Sequence, residues 1–126
     1  MKRIFTLLFA SFTLLSFSSM VGIEDVVASL KSGNASQIAK YFDNTVEITL
    51  PAKSNSYSKS QAEMILKDFF INNSIKSFKI LHKGDNGGSQ FCIGTLQTSA
   101  ATYRTTIYMK QKADRQVLQE IRFENQ

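Results

Sequence analysis

The chain contains one cysteine, one histidine, one proline and no tryptophan among its 126 residues. A single cysteine excludes a disulfide bond within the chain, so we expect packing to stabilise the fold. One histidine and one distant cysteine are too few to bind a metal ion, and no motif indicates another cofactor. The lack of tryptophan weakens the case for a sugar-binding platform. Cys92 lies between two apolar residues, which favours a small buried role over a nucleophilic one.

Positive charge is in modest excess and is not concentrated in one place. The formal net charge of +5 includes Lys2 and Arg3 near the N-terminus. The other basic residues are expected at strand edges and at a hairpin tip. Lysines on an edge strand discourage aggregation between strands. We therefore expect no nucleic-acid partner. The glycine-rich segment 84–88 lacks the following helix that a phosphate-binding loop requires.

The N-terminus has the layout of a secretory signal peptide. Lys2 and Arg3 precede an uncharged and mostly apolar run at residues 4–17, and small residues follow that run. The run is shorter than the roughly 20 residues of a membrane span, so we expect no stable membrane anchor after its removal. The sequence thus predicts a signal peptide at residues 1–18 and one exported domain at residues 19–126, periplasmic or extracellular.

Hydrophobic periodicity predicts three helices in the exported part. Apolar residues of the segment 23–32 recur at i, i+3, i+4 and i+7, which is typical of a short amphipathic helix. A second short helix is predicted from its cap Asn34 through Phe42. Ser58 and Gln61 have the spacing of a capping box, which predicts the start of a third helix with the clearest apolar stripe of the three.

Alternating apolar and polar residues predict the strands. A half-buried strand is expected at residues 46–50, followed by a polar loop at residues 52–57. Four further strands are predicted beyond Ser74, each antiparallel to the next, at residues 76–83, 89–98, 102–111 and 116–124. Helices gathered on one face of an antiparallel sheet form an α+β domain.

Several segments resemble known families. The passage YFDNTVEI at residues 41–48 is similar to one found between the second helix and first strand of the nuclear transport factor 2-like cone, a member of the cystatin-like group. A more specific resemblance is to a family of small exported bacterial proteins, domain of unknown function 4783, at residues 30–34, 57–63, 66–70, 77–80, 87–97 and 101–104. This resemblance implies a cone of three helices on a curved antiparallel sheet, in the order α-α-β-α-β-β-β-β. It implies no established activity or catalytic residue.

A cone fold commonly holds a pocket between its sheet and its helices. Eight apolar residues are assigned to the inner face: Phe78, Ile80, Phe91, Ile93, Ile107, Val117, Ile121 and Phe123. Alternation then places five polar residues on the same face as a ligand pocket: His82, Thr95, Tyr103, Thr105 and Gln119. A one-residue slip between strands 89–98 and 102–111 would instead place Cys92, Gly94 and Leu96 on the face of Tyr103.

Three functional hypotheses follow from this pattern. The sequence favours a non-catalytic module that binds an apolar small molecule or an envelope protein, in the cone pocket or on the sheet face. The alternative is a small isomerase, cyclase or dehydratase with His82 or Asp43 as general base. Against it, His82 has the setting of a surface residue and Asp43 that of a turn residue.

The third hypothesis is a homodimer formed through the outer face of the sheet. If the inner face is formed by the residues assigned to it above, the outer face carries an apolar patch of Leu81, Leu96, Tyr108 and Leu118. Basic residues surround the patch, as at a partner surface: Lys79, Lys83, Arg104 and Arg122.

Overall fold

The computed structural model describes residues 18–126, with side chains described from Gly22 onward. The predicted signal peptide therefore lies outside the described residues, apart from Ser18. The described part is an α+β fold with the helices α1 (Ser18–Lys31), α2 (Ala35–Ala39) and α3 (Lys59–Asn72) and the strands β1 (Phe42–Leu50), β2 (Lys53–Ser58), β3 (Ile75–Asn86), β4 (Ser89–Thr98), β5 (Thr102–Lys112) and β6 (Arg115–Asn125).

The second helix is shorter than the sequence indicated. Asn34 caps α2 as predicted, because its side-chain oxygen accepts a hydrogen bond from the Gln37 amide at 3.0 Å. The helix ends at Ala39, however, so its predicted extension through Phe42 was wrong. Phe42 is fully buried and begins β1, where it lies beside Leu118 of β6. Burial of that large ring in the sheet outweighs continuation of the helix.

The third helix begins as the sequence predicted. The Ser58 side chain accepts from the Gln61 amide, and the Gln61 side chain accepts from the Ser58 amide, which completes the capping box. The apolar stripe of α3 packs on the sheet through four buried residues: Ala62, Leu66, Phe69 and Phe70.

The six strands form one sheet in the order β2-β1-β6-β5-β4-β3. All neighbours are antiparallel except β1 and β6, which are parallel. The sheet is therefore mixed, and the prediction of a fully antiparallel sheet was wrong in this respect. Parallel neighbours need a long connection between them, and here the chain from β2 through α3 and the β3–β5 meander supplies it.

Residues 53–58 form the edge strand β2, so the predicted loop at 52–57 was wrong. β2 pairs with β1 from Leu50 opposite Lys53 to Thr45 opposite Ser58. Every residue of β2 except Tyr57 is exposed, and an edge strand of this kind needs only backbone pairing. Its sequence therefore lacks the apolar alternation by which the other strands were recognised.

The β4–β5 hairpin decides which side chains face the helices. The amide of Thr98 donates to the carbonyl of Ala101 at 3.0 Å, which closes a two-residue turn and places Leu96 opposite Tyr103. This register buries the alternate residues of β4 that include Cys92 and Leu96. The inward assignment of Phe91 and Ile93 was therefore wrong, because the register is the one-residue slip considered above.

Candidate functional site: the uncovered face of the sheet

The face of the sheet that packs on the helices, here called the covered face, is occupied around Phe69 by aromatic side chains. The ring of Phe69 stacks on that of Phe123 with centroids 4.1 Å apart, and it lies 5.4 Å from the ring of Tyr103. The Tyr103 hydroxyl donates to Oδ1 of the buried Asn73 at 2.7 Å. Aromatic rings and a satisfied polar pair thus occupy the place where a cone pocket was expected.

The structure divides the five predicted pocket residues between the two faces. Tyr103 and Thr105 lie on the covered face and are buried. Thr95 pairs with Arg104 and His82 pairs with Ile93, which places Thr95 and His82 on the opposite face. The fifth residue, Gln119, is half-buried and donates to Asp43 at 3.0 Å. The assumption that all five share one face was therefore wrong.

Asp43 is held as an ionised carboxylate at the start of β1. Its oxygens accept hydrogen bonds from Lys112, 3.2 and 3.3 Å away, from Gln119 and from the Asn44 amide. The bond from Gln119 is the main reason that the pKa of Asp43 is lowered, and the Asn44 amide and Lys112 add to it although partial burial opposes them. A carboxylate with a lowered pKa is a weak proton acceptor, which argues against a general-base role.

His82 lies towards the opposite edge of the sheet from Asp43. It is exposed on β3, and its ring centroid is 5.4 Å from that of Phe91. In the strand order, β3 and β1 are four strand spacings apart, which corresponds to about 19 Å. The two candidate bases therefore cannot act on the same substrate atom.

The two acidic residues of α1 form polar contacts with side chains of the neighbouring elements. Glu24 forms a 2.8 Å ion pair with Lys83 of β3. Asp25 accepts a 2.5 Å hydrogen bond from the hydroxyl of Tyr41, and a weaker one from Gln37 at 3.4 Å. Burial and the bond to Asp25 raise the pKa of Tyr41 to about 12. These groups position α1 and α2 against the sheet.

Other reactive groups are few within residues 18–126. The Cys92 thiol is buried, and this burial raises its pKa, which makes it a poor nucleophile. Within the same residues, no group of three or more His, Cys, Asp or Glu side chains is placed to hold a metal ion. None of the helices in that part of the chain has the length and apolar character needed to span a membrane.

The opposite side of the sheet, here called the uncovered face, carries a half-buried central patch. The patch consists of Phe91 and Ile93 on β4 and of Thr106 and Tyr108 on β5. Phe91 lies opposite Tyr108 and Ile93 lies opposite Thr106, so the four side chains form two adjacent cross-strand pairs. Their burial comes from neighbours in the sheet, because the described helices pack on the covered face.

This central patch differs from the outward patch expected from the sequence. Leu96 and Leu118 are fully buried, so their outward assignment was wrong. The hairpin register turns Leu96 inward, and a register shift between Tyr108 and Met109 places Leu118 beside Met109 in the core. Of the other two residues, Leu81 is 59% exposed next to a register shift of β3, and Tyr108 belongs to the central patch.

Charges of opposite sign lie on the two sides of the central patch. Lys79 of β3 and Arg104 of β5 lie in one cross-strand row with Thr95 between them. On the other side, Glu47 of β1 is the neighbour of Glu120 of β6. Arg122 belongs to the acidic side but is paired there, with Glu120 at 2.6 Å and with Glu124 at 4.0 Å.

An open groove crosses the acidic side of the uncovered face. Its volume is about 350 Å³. The groove runs from Tyr108 of the central patch across β6 and β1 to the edge strand, and its lining residues are Asp43, Thr45, Glu47, Ser56, Tyr108, Gln119 and Glu120. Sequence reasoning missed Phe91 and Ile93 as outer residues, although the shortness of the turn after Thr98 carried that information.

Comparison with protein-family profiles identifies the family to which the chain belongs. The profile of the family described as "Domain of unknown function (DUF4783)" matches residues 23–124. The chain belongs to this family. The resemblance found in the sequence is thereby confirmed, and the match spans all the strands of the cone apart from the last residue of β6. A search of curated proteins finds none that matches this chain.

Solved structures confirm the fold. A DUF4783 protein from Bacteroides uniformis is 29% identical, with a TM-score of 0.79 over 82% of this chain and 95% of that one. One from Bacteroides fragilis is 27% identical, with a TM-score of 0.76 over 81% and 96%. An NTF2-like protein of unknown function from Cytophaga hutchinsonii shares the fold at 7% identity, with a TM-score of 0.63 over 88% and 92%. The chain is thus an NTF2-like α+β domain.

Proposed function

We propose that this protein is a non-catalytic protein-binding module that acts through the uncovered face of its sheet. One observation carries the proposal: the aromatic and aliphatic residues of the central patch are only half-buried, and charged residues of both signs surround them. An apolar centre with a polar rim is typical of a surface that binds another protein. Tyrosine and phenylalanine are enriched at such centres, and tyrosine is common among the residues that contribute most of the binding energy.

The edges of the sheet are less suited to a partner than its face. β2 is a short polar edge, and the long edge strand β3 carries Lys76, Lys79 and Lys83 together with two shifts of register. Lysines and bulges on an edge strand hinder pairing with a further strand. A partner is therefore expected to pack on the face rather than extend the sheet.

The two other functions considered have weaker support. A small molecule in the cone would need the space that Phe69, Phe123 and Tyr103 fill. An enzyme would need an available general base beside a substrate cavity. Asp43 lines the groove, but its carboxylate is held by Gln119 and Lys112, and His82 lies on the exposed edge strand. Neither site has a geometry that favours proton transfer.

The proposal includes export of the module. A signal peptide at residues 1–18 would deliver the domain to the periplasm or the exterior, where a lone buried cysteine is compatible with an oxidising environment. N-terminal sequencing of the protein recovered from the cell envelope tests this directly. We expect a start near Ser19. An intact Met1 on folded cytoplasmic protein would contradict export.

Site-specific photo-crosslinking in the producing cells tests the binding surface. A photoreactive phenylalanine analogue replaces Ile93 in the central patch or, as the control, Met64, which is 71% exposed on the outer side of α3. We expect protein adducts, identified by mass spectrometry, from position 93 and none from position 64. The absence of adducts at position 93, or equal adducts at both positions, would overturn the proposed function.

A further inference from the structure

We infer that the partner binds through a cationic segment, in which a lysine or arginine enters the acidic groove and a nearby apolar residue packs on the central patch. This inference rests on the proposed function, because it states the chemistry of the protein that the uncovered face binds. Three features of the described residues support it: the order of side chains across the sheet, the excess of carboxylates in the groove and the length of the groove.

One cross-strand row joins the central patch to the groove. Phe91 of β4 lies opposite Tyr108 of β5, and Tyr108 lies opposite Glu120 of β6. The row continues through Glu47 of β1, the neighbour of Glu120, to Ser56 of the edge strand β2. Two aromatic rings are therefore followed by two carboxylates. A segment that lies along this row meets an apolar surface first and a negatively charged surface next.

The groove holds a carboxylate that the protein itself does not neutralise. Asp43 is paired with Lys112 at 3.2 Å, and Glu120 is paired with Arg122 at 2.6 Å. Glu47 is exposed, and none of the ion pairs within residues 22–126 includes it. A cation supplied by the partner therefore finds an unpaired carboxylate in the groove, with the carboxylate of Glu120 beside it.

The two neighbouring glutamates are unfavourable for folding. Glu47 and Glu120 occupy paired positions of β1 and β6, and like charges at such positions destabilise a sheet. The pair is present although the chain as a whole has a formal net charge of +5. Local choices that weaken a fold are expected at functional sites. The pair is thus better explained by a cation from another protein than by a role in folding.

The length of the groove fits a short segment of protein chain. From Tyr108 on β5 to Ser56 on β2, the row crosses three strand spacings, which is about 14 Å. An extended segment covers this distance with about four residues. The distance from Phe91 to Glu47 is also three spacings, so an apolar residue and a basic residue about four positions apart reach both. The ring of Tyr108 between them can attract the same cation through its face.

Selection from a library of random ten-residue peptides by the purified protein tests the chemistry of the partner. We expect the selected peptides to be enriched in lysine or arginine within about four residues of an aromatic or aliphatic residue. Their binding, measured by fluorescence anisotropy, should weaken as salt rises, because exposed charges are screened. Selection of no peptide, or of peptides without an excess of basic residues, would overturn the inference.

Glu47→Gln separates a role in binding from a role in folding. The variant keeps the shape of the side chain without its charge, so it should bind the selected peptides about fivefold more weakly. Its melting temperature should equal or exceed that of the wild type, since repulsion from Glu120 is removed. Asp68→Asn makes the matched change on the exposed side of α3 and should alter neither property.

The outcomes that contradict this role of Glu47 are equally clear. Unchanged binding by Glu47→Gln, or an equal loss of binding by Asp68→Asn, would overturn the inference. A Glu47→Gln variant that melts below the wild type would do the same, because it would assign the carboxylate to folding.

Photo-crosslinking from Ser56, which is exposed at the outer end of the groove, identifies the segment in the producing cells. We expect adducts in which the crosslinked peptide of another protein contains lysine or arginine. Adducts between two copies of this chain, or with peptides that lack basic residues, would overturn the inference. Protein adducts at position 93 without a cationic segment at position 56 would preserve the proposed function alone. The lack of adducts at both positions would refute both.

Discussion

The two faces of the sheet are formed by alternate residues of the same strands, and they differ in almost every property. On β5, Tyr103, Thr105 and Ile107 are buried under the helices, whereas Arg104 is exposed and Tyr108 is half-buried on the other side. The covered face has a stacked aromatic core and few polar atoms. The uncovered face has a small central patch between basic and acidic sides.

The pleat of the sheet thus separates the residues that stabilise the fold from those that we propose bind a partner. Side chains on the covered face are fixed by packing from both helices and strands, so truncating them leaves cavities. Within residues 22–126, side chains on the uncovered face have neighbours only within the sheet, which leaves them accessible to the partner that we propose. The following variants test this separation, beginning with the one expected to have the largest effect.

Phe69→Ala should be the most destabilising substitution. Its ring stacks on Phe123 and contacts Phe70 and Tyr103, so its removal should lower the free energy of unfolding by about 3–5 kcal/mol. Phe91→Ala on the uncovered face should cost about 1 kcal/mol, the scale of a cross-strand pair. Urea denaturation of both variants gives the comparison. Equal costs would contradict the separation of the two faces.

Asn73→Ala should destabilise the covered face through its polar groups. Asn73 is buried, accepts from the hydroxyls of Tyr103 and Thr98, and donates to the Phe69 carbonyl at 3.0 Å. Its loss leaves buried polar atoms unpaired, which should cost about 1–3 kcal/mol in urea denaturation. The neighbouring exposed residue provides the control, since Asn72→Ala should change stability by under about 0.5 kcal/mol. A neutral Asn73→Ala variant would show that water replaces these bonds.

Thr105→Val should stabilise the protein by about 1 kcal/mol. The Thr105 hydroxyl is fully buried on the covered face, and its oxygen has no hydrogen-bond partner among the described residues. Valine has the same shape without the desolvated polar group. Thr106→Val, next to it on the uncovered face, should be close to neutral. Differential scanning calorimetry gives the melting temperatures of both variants. A melting temperature of Thr105→Val below that of the wild type would contradict this explanation.

Asp43→Asn should make the stability of the protein less sensitive to acid. Its effect should be the smallest of the four substitutions. The folded-state pKa of Asp43 lies below its ordinary value of 3.8, so its contribution is present above that value and is lost as pH falls through the folded pKa. The variant should therefore lose less stability than the wild type on acidification below about pH 4. Asp114→Asn in the exposed β5–β6 turn controls for removing one negative charge. Parallel acid curves for wild type and Asp43→Asn would contradict the assignment.

Much of the fold was predictable from local patterns. The capping box at Ser58 and the four long strands after Ser74 were recognised because caps and alternation depend on neighbouring residues. The strand β2 was missed because a polar edge strand carries no apolar alternation. The parallel pairing of β1 with β6 was missed because it joins residues about seventy positions apart, which no local pattern records.

The candidate site was less predictable than the fold. Tyr103 and Thr105 were placed on the inner face, where they lie, but His82 and Thr95 were placed with them and lie on the other face. One choice of turn length near Ala100 decides the facing of all of β4, because the side-chain period of a strand is two. An error of one residue there therefore exchanged the covered and uncovered residues of β4.

The sequence by itself determined the family, the helix caps, the positions of the long strands and the absence of a disulfide framework, since each depends on residue identity or on spacing along the chain. Only the tertiary structure decided which residues of β4 face the helices, that Leu118 is buried, and that basic and acidic residues lie on opposite sides of one patch. Those features depend on strand register and strand order. Register follows from turn length and from which residues of a strand face the core, and strand order follows from pairing between segments far apart in the chain, so a local pattern of side chains fixes neither.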